Sequence, residues 1–147
     1  MKKISDVMTK NVQCLSPETN LRDLAAKMKE IDCGAIPICE EDRLIGMVTD
    51  RDIVLRTLAS GRDPNSCTAR DVMTSPIVFG FQDQDIGEAA RIMEAKEIRR
   101  IAILNRNKRL VGIVSLGDIA TRGANEEIAV ELLERVSEHT KGARGAA

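Results

Sequence analysis

The tetrapeptide Asp-Val-Met-Thr occurs at Asp6–Thr9 and again at Asp71–Thr74, and the register it sets carries much further. At the same offset Leu21 matches Ile86, Met28 matches Met93, and "AIPI" (Ala35–Ile38) matches "RIAI" (Arg100–Ile103). One extra residue in the second copy's loop brings Gly46 onto Gly112. A chain that repeats itself builds one supersecondary unit twice, and each copy buries its apolar face with the help of the other. The repeats span 1–61 and 69–122, joined by a linker at 62–68 and followed by a tail at 123–147.

Each repeat has the same grammar. A short leading segment ("VQCL"; "IVFGF") runs to Asn20 or Asp85, residue types that start helices. "LRDLAAKMKEI" and "IGEAARIMEAKEI" then carry apolar residues three and four apart, the stripe of an amphipathic helix. Two strands follow ("AIPIC", "LIGMV"; "RIAIL", "LVGIV"), each pair separated by a charged turn, which predicts a hairpin. Thr49 and Ser115 open a second helix, the first of which runs to about Ser60 with Gly61 as its terminal glycine. The predicted architecture is α/β: two β-α-β-β-α repeats around a pseudo-twofold axis, plus a C-terminal helix.

Composition narrows the function. With 43% apolar and 31% charged residues the 147-residue chain suits a soluble globular domain, burying about two-thirds of its unfolded surface. Having no Trp or Tyr and two Phe, it must build its core from Ile, Val, Leu, Met and Ala. A net charge of −1 and the lack of aromatic stacking platforms argue against nucleic acid as the main partner. Neither a membrane span nor a signal peptide is read, so the expected compartment is the cytoplasm. Cys14, Cys33, Cys39 and Cys67 lack the close ligand pair of a zinc site and read as small reduced hydrophobes. Cys33 and Cys39, close in sequence, are left open as an oxidisable pair.

The repeats end alike, in "GMVTDRDIV" (Gly46–Val54) and "GIVSLGDIA" (Gly112–Ala120). Two readings fit the shared Thr/Ser-x-x-Asp. In one it is a capping box: hydroxyl and carboxylate satisfy the free amides of the helix start. In the other the helix start faces a ligand, its amides and hydroxyl suited to phosphate and its Asp to the hydroxyls of a ribose.

Taken in order, the DVMT starts, the "GAIPI" and "RRIAI" strands and the two motif ends resemble a tandem pair of CBS domains, a Bateman module, from Ile4 to about Arg122. The likeness is to the stand-alone type. It implies a regulatory module whose ligand is an adenosine compound (AMP, ADP, ATP, S-adenosylmethionine or NAD) held in clefts between the halves. Carried over by position, Ser115 and Asp118 mark one cleft, with Val12, Gln13, Ile113, Cys33 and Gly34 as its adenine wall. Thr49 and Asp52 mark the other, with Met47, Ile77, Val78 and Ile98. The family often sets basic residues before the second strand. The second repeat has Arg99 and Arg100 there, against a solvated turn as the plain alternative. The first has Gly34 and Ala35, with Arg51 as a substitute at the helix start. The Ser115/Asp118 cleft is therefore expected to be the better phosphate site.

Catalysis lacks candidates. The one histidine, His139, lies in the tail, and no phosphate loop, nucleophile elbow or metal set is present. No catalytic residue, bound metal or required cofactor is expected. Ile128, Leu132, Leu133 and Val136 give the tail an apolar helical stripe, and its end at "KGARGAA" reads as disordered. The resemblance implies a homodimer, and a sensor without an output domain needs a protein partner that the sequence does not name. A non-enzymatic interaction scaffold with empty clefts, or a thiol-responsive one, is the competing reading.

Overall fold

The computed structural model describes residues 2–75 and 77–123, together with Val130 and Glu134. The tail stripe at Ile128, Leu132, Leu133 and Val136, and His139, lie outside the described residues. In chain order the elements are α1 (Ile4–Val7), β1 (Thr9–Lys10), α2 (Leu21–Ile31), β2 (Ala35–Glu40), β3 (Arg43–Thr49) and α3 (Asp50–Ile53). After these come α4 (Ala69–Val72), β4 (Phe79–Phe81), α5 (Ile86–Lys96), β5 (Arg100–Leu104), β6 (Leu110–Ser115) and α6 (Leu116–Arg122). Beyond α3 the helix continues as a wider π turn, Val54–Leu58, and reaches Gly61, whose φ of 71° is the left-handed ending expected of a terminal glycine.

The two long helices form where the apolar periodicity predicts them. Asn20 caps α2 by accepting from the Asp23 amide at 2.8 Å. Asp85 makes no such bond; α5 is instead fastened by the N-terminus, with the Ile86 amide donating to Lys2 O at 3.1 Å. Both helices end on a left-handed residue, Asp32 or Glu97, at equivalent places in the repeat. β2 pairs antiparallel with β3, and β5 with β6, as the two predicted hairpins.

Two compact units result, and they are drawn differently from the sequence repeats. One is Gln13–Ile77; the other joins Met1–Val12 to the chain from Val78 onward. In the latter, β1-β6-β5-β4 form one sheet, antiparallel except for the β4–β5 pair. Its core is Ile4, Val7, Met8, Ile86, Ala89, Met93, Ile101, Ile103, Val114 and Ile119. The Gln13–Ile77 unit has the same order with its outer strands shrunk to single bridges, Thr74 to Met47 and Leu15 to Ile38, around β3 and β2. Leu21, Leu24, Met28, Ile36, Ile38, Val48 and Val72 fill its core. The linker contributes as well: Cys67 is buried there, and Thr68 and Asp71 cap α4.

Each unit thus ends on a DVMT segment instead of beginning with one. The first unit takes the one that follows it, Asp71–Thr74. The second takes the one at Asp6–Thr9. Where the segment crosses the sheet it passes over the motif glycine. A Cβ on Gly112 would lie 2.7 Å from Met8 Sδ and from Thr9 O, and one on Gly46 would lie 2.7 Å from Met73 Sδ. Methionine fills the space that only glycine leaves, which couples two short sequences far apart in the chain. Gly112→Ala should therefore destabilise the protein by about 1–3 kcal/mol through overpacking against backbone. In urea denaturation, Gly112→Ala should cost less in a Met8→Ala background than in the wild type, the mark of direct coupling.

Candidate functional site

Both motif ends fold into complete capping boxes. The Ser115 amide donates to Asp118 Oδ2 at 2.9 Å, and the Asp118 amide donates to Ser115 Oγ at 3.1 Å. Thr49 and Asp52 repeat both distances. The capping reading of Ser/Thr-x-x-Asp is geometrically satisfied twice, and the question becomes what each carboxylate has left.

The two differ. Asp118 spends Oδ2 on its cap, and Oδ1 accepts no hydrogen bond among the described residues. Around Asp52 both oxygens are engaged: Thr74 Oγ1 lies 3.5 Å from each, and Arg56 Nη2 lies 4.0 Å from Oδ1. Arg56 also donates to the Val72 and Met73 carbonyls at 2.9 and 2.7 Å, tying the helix to the DVMT segment beneath it. Arg122 holds the equivalent place and reaches Val7 O at 3.5 Å. Neither arginine was singled out in the sequence, although both stand four residues after the motif Asp.

The surroundings differ in charge. In the second-repeat unit Arg100 lies directly across the ladder from Ser115, and the Leu116 amide donates to Arg99 O at 2.8 Å. Two guanidinium-bearing residues thus flank the start of α6, with half-buried Ile113 two residues upstream. In the Gln13–Ile77 unit Ala35 lies across from Thr49, and the Asp50 amide donates to Gly34 O at 3.0 Å. Here a carboxylate lies where the other repeat has arginines: a Cβ on Gly34 would be 2.9 Å from Asp50 Oδ2. Arg51 is exposed beside it, its amide donating to Asp50 Oδ1 at 2.8 Å.

The wall candidates are dispersed. Met47 exchanges hydrogen bonds with Thr74, N to O at 3.3 Å and back at 2.9 Å. Ile98 and Val78 pack, partly buried, on the core of the second-repeat unit, and Ile77 is half-buried in its own. Gln13 is exposed. Val12 lines an open groove of about 420 Å³ with Lys10, Leu110 and Val111, at the end of β6 remote from Ser115. Cys33 is exposed, its Sγ donating to Ala35 O at 3.4 Å.

One cysteine expectation is corrected. Cys39 pairs with Cys14 in a disulfide and not with Cys33, so these two are not the reduced hydrophobes their spacing suggested. Cys14 and Cys39 lie diagonally across the parallel bridge of Leu15 to Ile38, which brings their Cα atoms to 5.6 Å. No group of three or more His, Cys, Asp or Glu among the described residues could hold a metal ion. Nor is any helix among them long and apolar enough to cross a membrane.

The CBS domain model matches the chain twice, at residues 4–58 and 69–125. The chain belongs to the CBS-domain family. The CBS domain-containing protein YhcV of Bacillus subtilis is 39% identical over 137 residues, covering 93% of this chain and 96% of that protein. Hypoxic response protein 1 of Mycobacterium tuberculosis is 39% identical over 132 residues, 89% of this chain and 91% of that protein. The crystal structure of Hypoxic Response Protein I with two coordinated zinc ions superimposes with a TM-score of 0.72 at 41% identity, covering 82% of this chain and 98% of that one. CBSX2 in complex with AMP shares the fold, with a TM-score of 0.69 at 22% identity, covering 82% and 94%.

If the carboxylates act as caps, each has a measurable stability effect. Asp118→Ala should cost about 1 kcal/mol, the ordinary worth of a cap. Asp52→Ala should cost more, because Thr74 and Arg56 lose their partner too. Chemical denaturation of both variants at neutral pH gives the comparison.

Proposed function

We propose that this protein is a regulatory module that senses an adenosine compound. The ligand is AMP, ADP, ATP, S-adenosylmethionine or NAD, held in clefts between the CBS repeats, and the response is a change of conformation or association. The observation that carries the reading is Oδ1 of Asp118, uncommitted among the described residues, on a helix start flanked by Arg99 and Arg100. A carboxylate oxygen accepts from ribose hydroxyls, and guanidinium groups suit phosphates. The same fold in CBSX2 holds AMP, which supports this ligand class. The Thr49/Asp52 side has its carboxylate engaged and Asp50 in place of the arginines, so it is the weaker site for a phosphorylated ligand. The module acts without catalysing a reaction, and a protein partner reads its state.

Complete capping boxes in both repeats favour a second reading, in which the motifs serve the fold alone and the protein is an interaction scaffold. Calorimetric titration of nucleotide-free protein with AMP, ATP, S-adenosylmethionine and NAD separates the two. The sensor reading expects saturable binding of at least one compound. Asp118→Ala should abolish it, and Arg99→Ala with Arg100→Ala should weaken ATP more than S-adenosylmethionine. Absence of heat and of thermal stabilisation with all four would leave the scaffold.

Association is proposed through the first repeat's second helix, where Val54, Leu55 and Leu58 are 50, 44 and 66% exposed. The aligned positions of the second repeat are Ala120, Thr121 and Ala124. Apolar side chains displayed together on one helix suit a second copy of the chain. Leu58→Glu should convert a homodimer to monomer in light scattering without loss of helical circular dichroism.

A further inference from the structure

The Cys14–Cys39 disulfide occupies a place that the second repeat fills by other means. Aligned on the repeat, Cys14 corresponds to Phe79 and Cys39 to Leu104. In the second repeat the leading segment is a true strand, with Phe79, Gly80 and Phe81 all in register on β5 and the two Phe rings 5.6 Å apart, edge to face. In the first repeat the ladder has dwindled to the single bridge of Leu15 to Ile38. Two hydrogen bonds remain, Leu15 N to Pro37 O and Cys39 N to Leu15 O, both 3.0 Å. One covalent bond stands in for strand pairing and aromatic packing.

We propose that Cys14–Cys39 is a reversible thiol–disulfide couple that fastens or frees the first repeat's leading segment. The reductant is a dithiol, small-molecule or protein. Its thiolate attacks one cysteine sulfur, the protein S–S bond breaks, and the displaced cysteine thiolate takes a proton. The reductant's second thiol then resolves the mixed disulfide, so two electrons and two protons end on Cys14 and Cys39 and one S–S bond forms in the reductant. A disulfide oxidant runs the exchange backwards. In the oxidised form the bridge at Leu15 stands beside the bond, with the Cys14 and Cys39 Cα atoms 5.6 Å apart. Reduction removes the covalent tie and leaves the two hydrogen bonds to hold an edge that in the second repeat has a full strand.

The test uses the full-length protein and no ligand, so it stands apart from the sensor reading. Thiols are counted after denaturation, and amide exchange is followed by mass spectrometry and NMR. The expected result is two titratable thiols, Cys33 and Cys67, in oxidised protein. All four cysteines of the chain should titrate after dithiothreitol, and two again after oxidised glutathione, with a Cys14–Cys39 linked peptide recovered. On reduction the Leu15 and Cys39 amides should exchange about tenfold faster or more, while those of Gly80 and Phe81 stay as they were. Four free thiols that persist under oxidised glutathione would overturn the proposal. So would a different pairing, or exchange at Leu15 and Cys39 that ignores redox state. Because the wild type supplies every readout, a cysteine variant that fails to fold does not weaken the test.

Discussion

The fold depends on a methionine lying across a glycine. Gly112 and Gly46 leave room in β6 and β3 for Met8 and Met73 to close on the sheet, and the following threonine then hydrogen-bonds or pairs at its edge. Dispersion and burial at this crossing are short-ranged, so the fit tolerates little error. The arginines at 56 and 122 reinforce it from the helix side by binding carbonyls of the crossing segment. With the edge fixed, β3 and β6 end at a defined point, and the capping residues that follow are held there.

Much of this arrangement is legible in the residues because it depends on local periodicity. The α2 stripe, the hairpins and the helix starts at Thr49 and Ser115 follow from apolar spacing and cap chemistry, which act within a few residues. Two features escape such reading. The DVMT repeats show that something is reused, but not that the segment leading each repeat in sequence closes a sheet at the other end of a packed unit. That is set by the length of linker between Gly61 and Ala69 and by long-range packing. The pairing of Cys14 with Cys39 depends likewise on the parallel bridge at Leu15, whose partner lies on a strand beyond α2. For the site, the cap residues were legible and their unequal availability was not, because Thr74 and Arg56 reach Asp52 only in the folded chain.

That inequality shows how duplication generates different chemistry from one backbone. The two repeats hold the same capping geometry to the same distances, yet Leu116 stands where Asp50 does and Arg99 where Gly34 does. The exchange reverses the local charge without altering the hydrogen bond that joins strand to helix, which runs from residue 50 to 34 in one repeat and from 116 to 99 in the other. Because the scaffold is carried by glycine, methionine and the cap, side chains around the helix start are free to diverge.

The order in which the ribosome delivers these pieces is a further consequence of the offset units. Gln13–Ile77 is contiguous and contains its closing segment, so it has every residue it needs before β4 and the elements after it are made. The other unit is circularly permuted: its edge strand, Thr9–Lys10, is made well before β6, with which it pairs. Its N-terminal segment must wait, solvated and unpaired, through the synthesis of about a hundred residues, and closing so long a loop is slow. Ile4, Val7 and Met8 are apolar groups of that segment left uncovered during the interval, a stretch open to a nascent-chain chaperone.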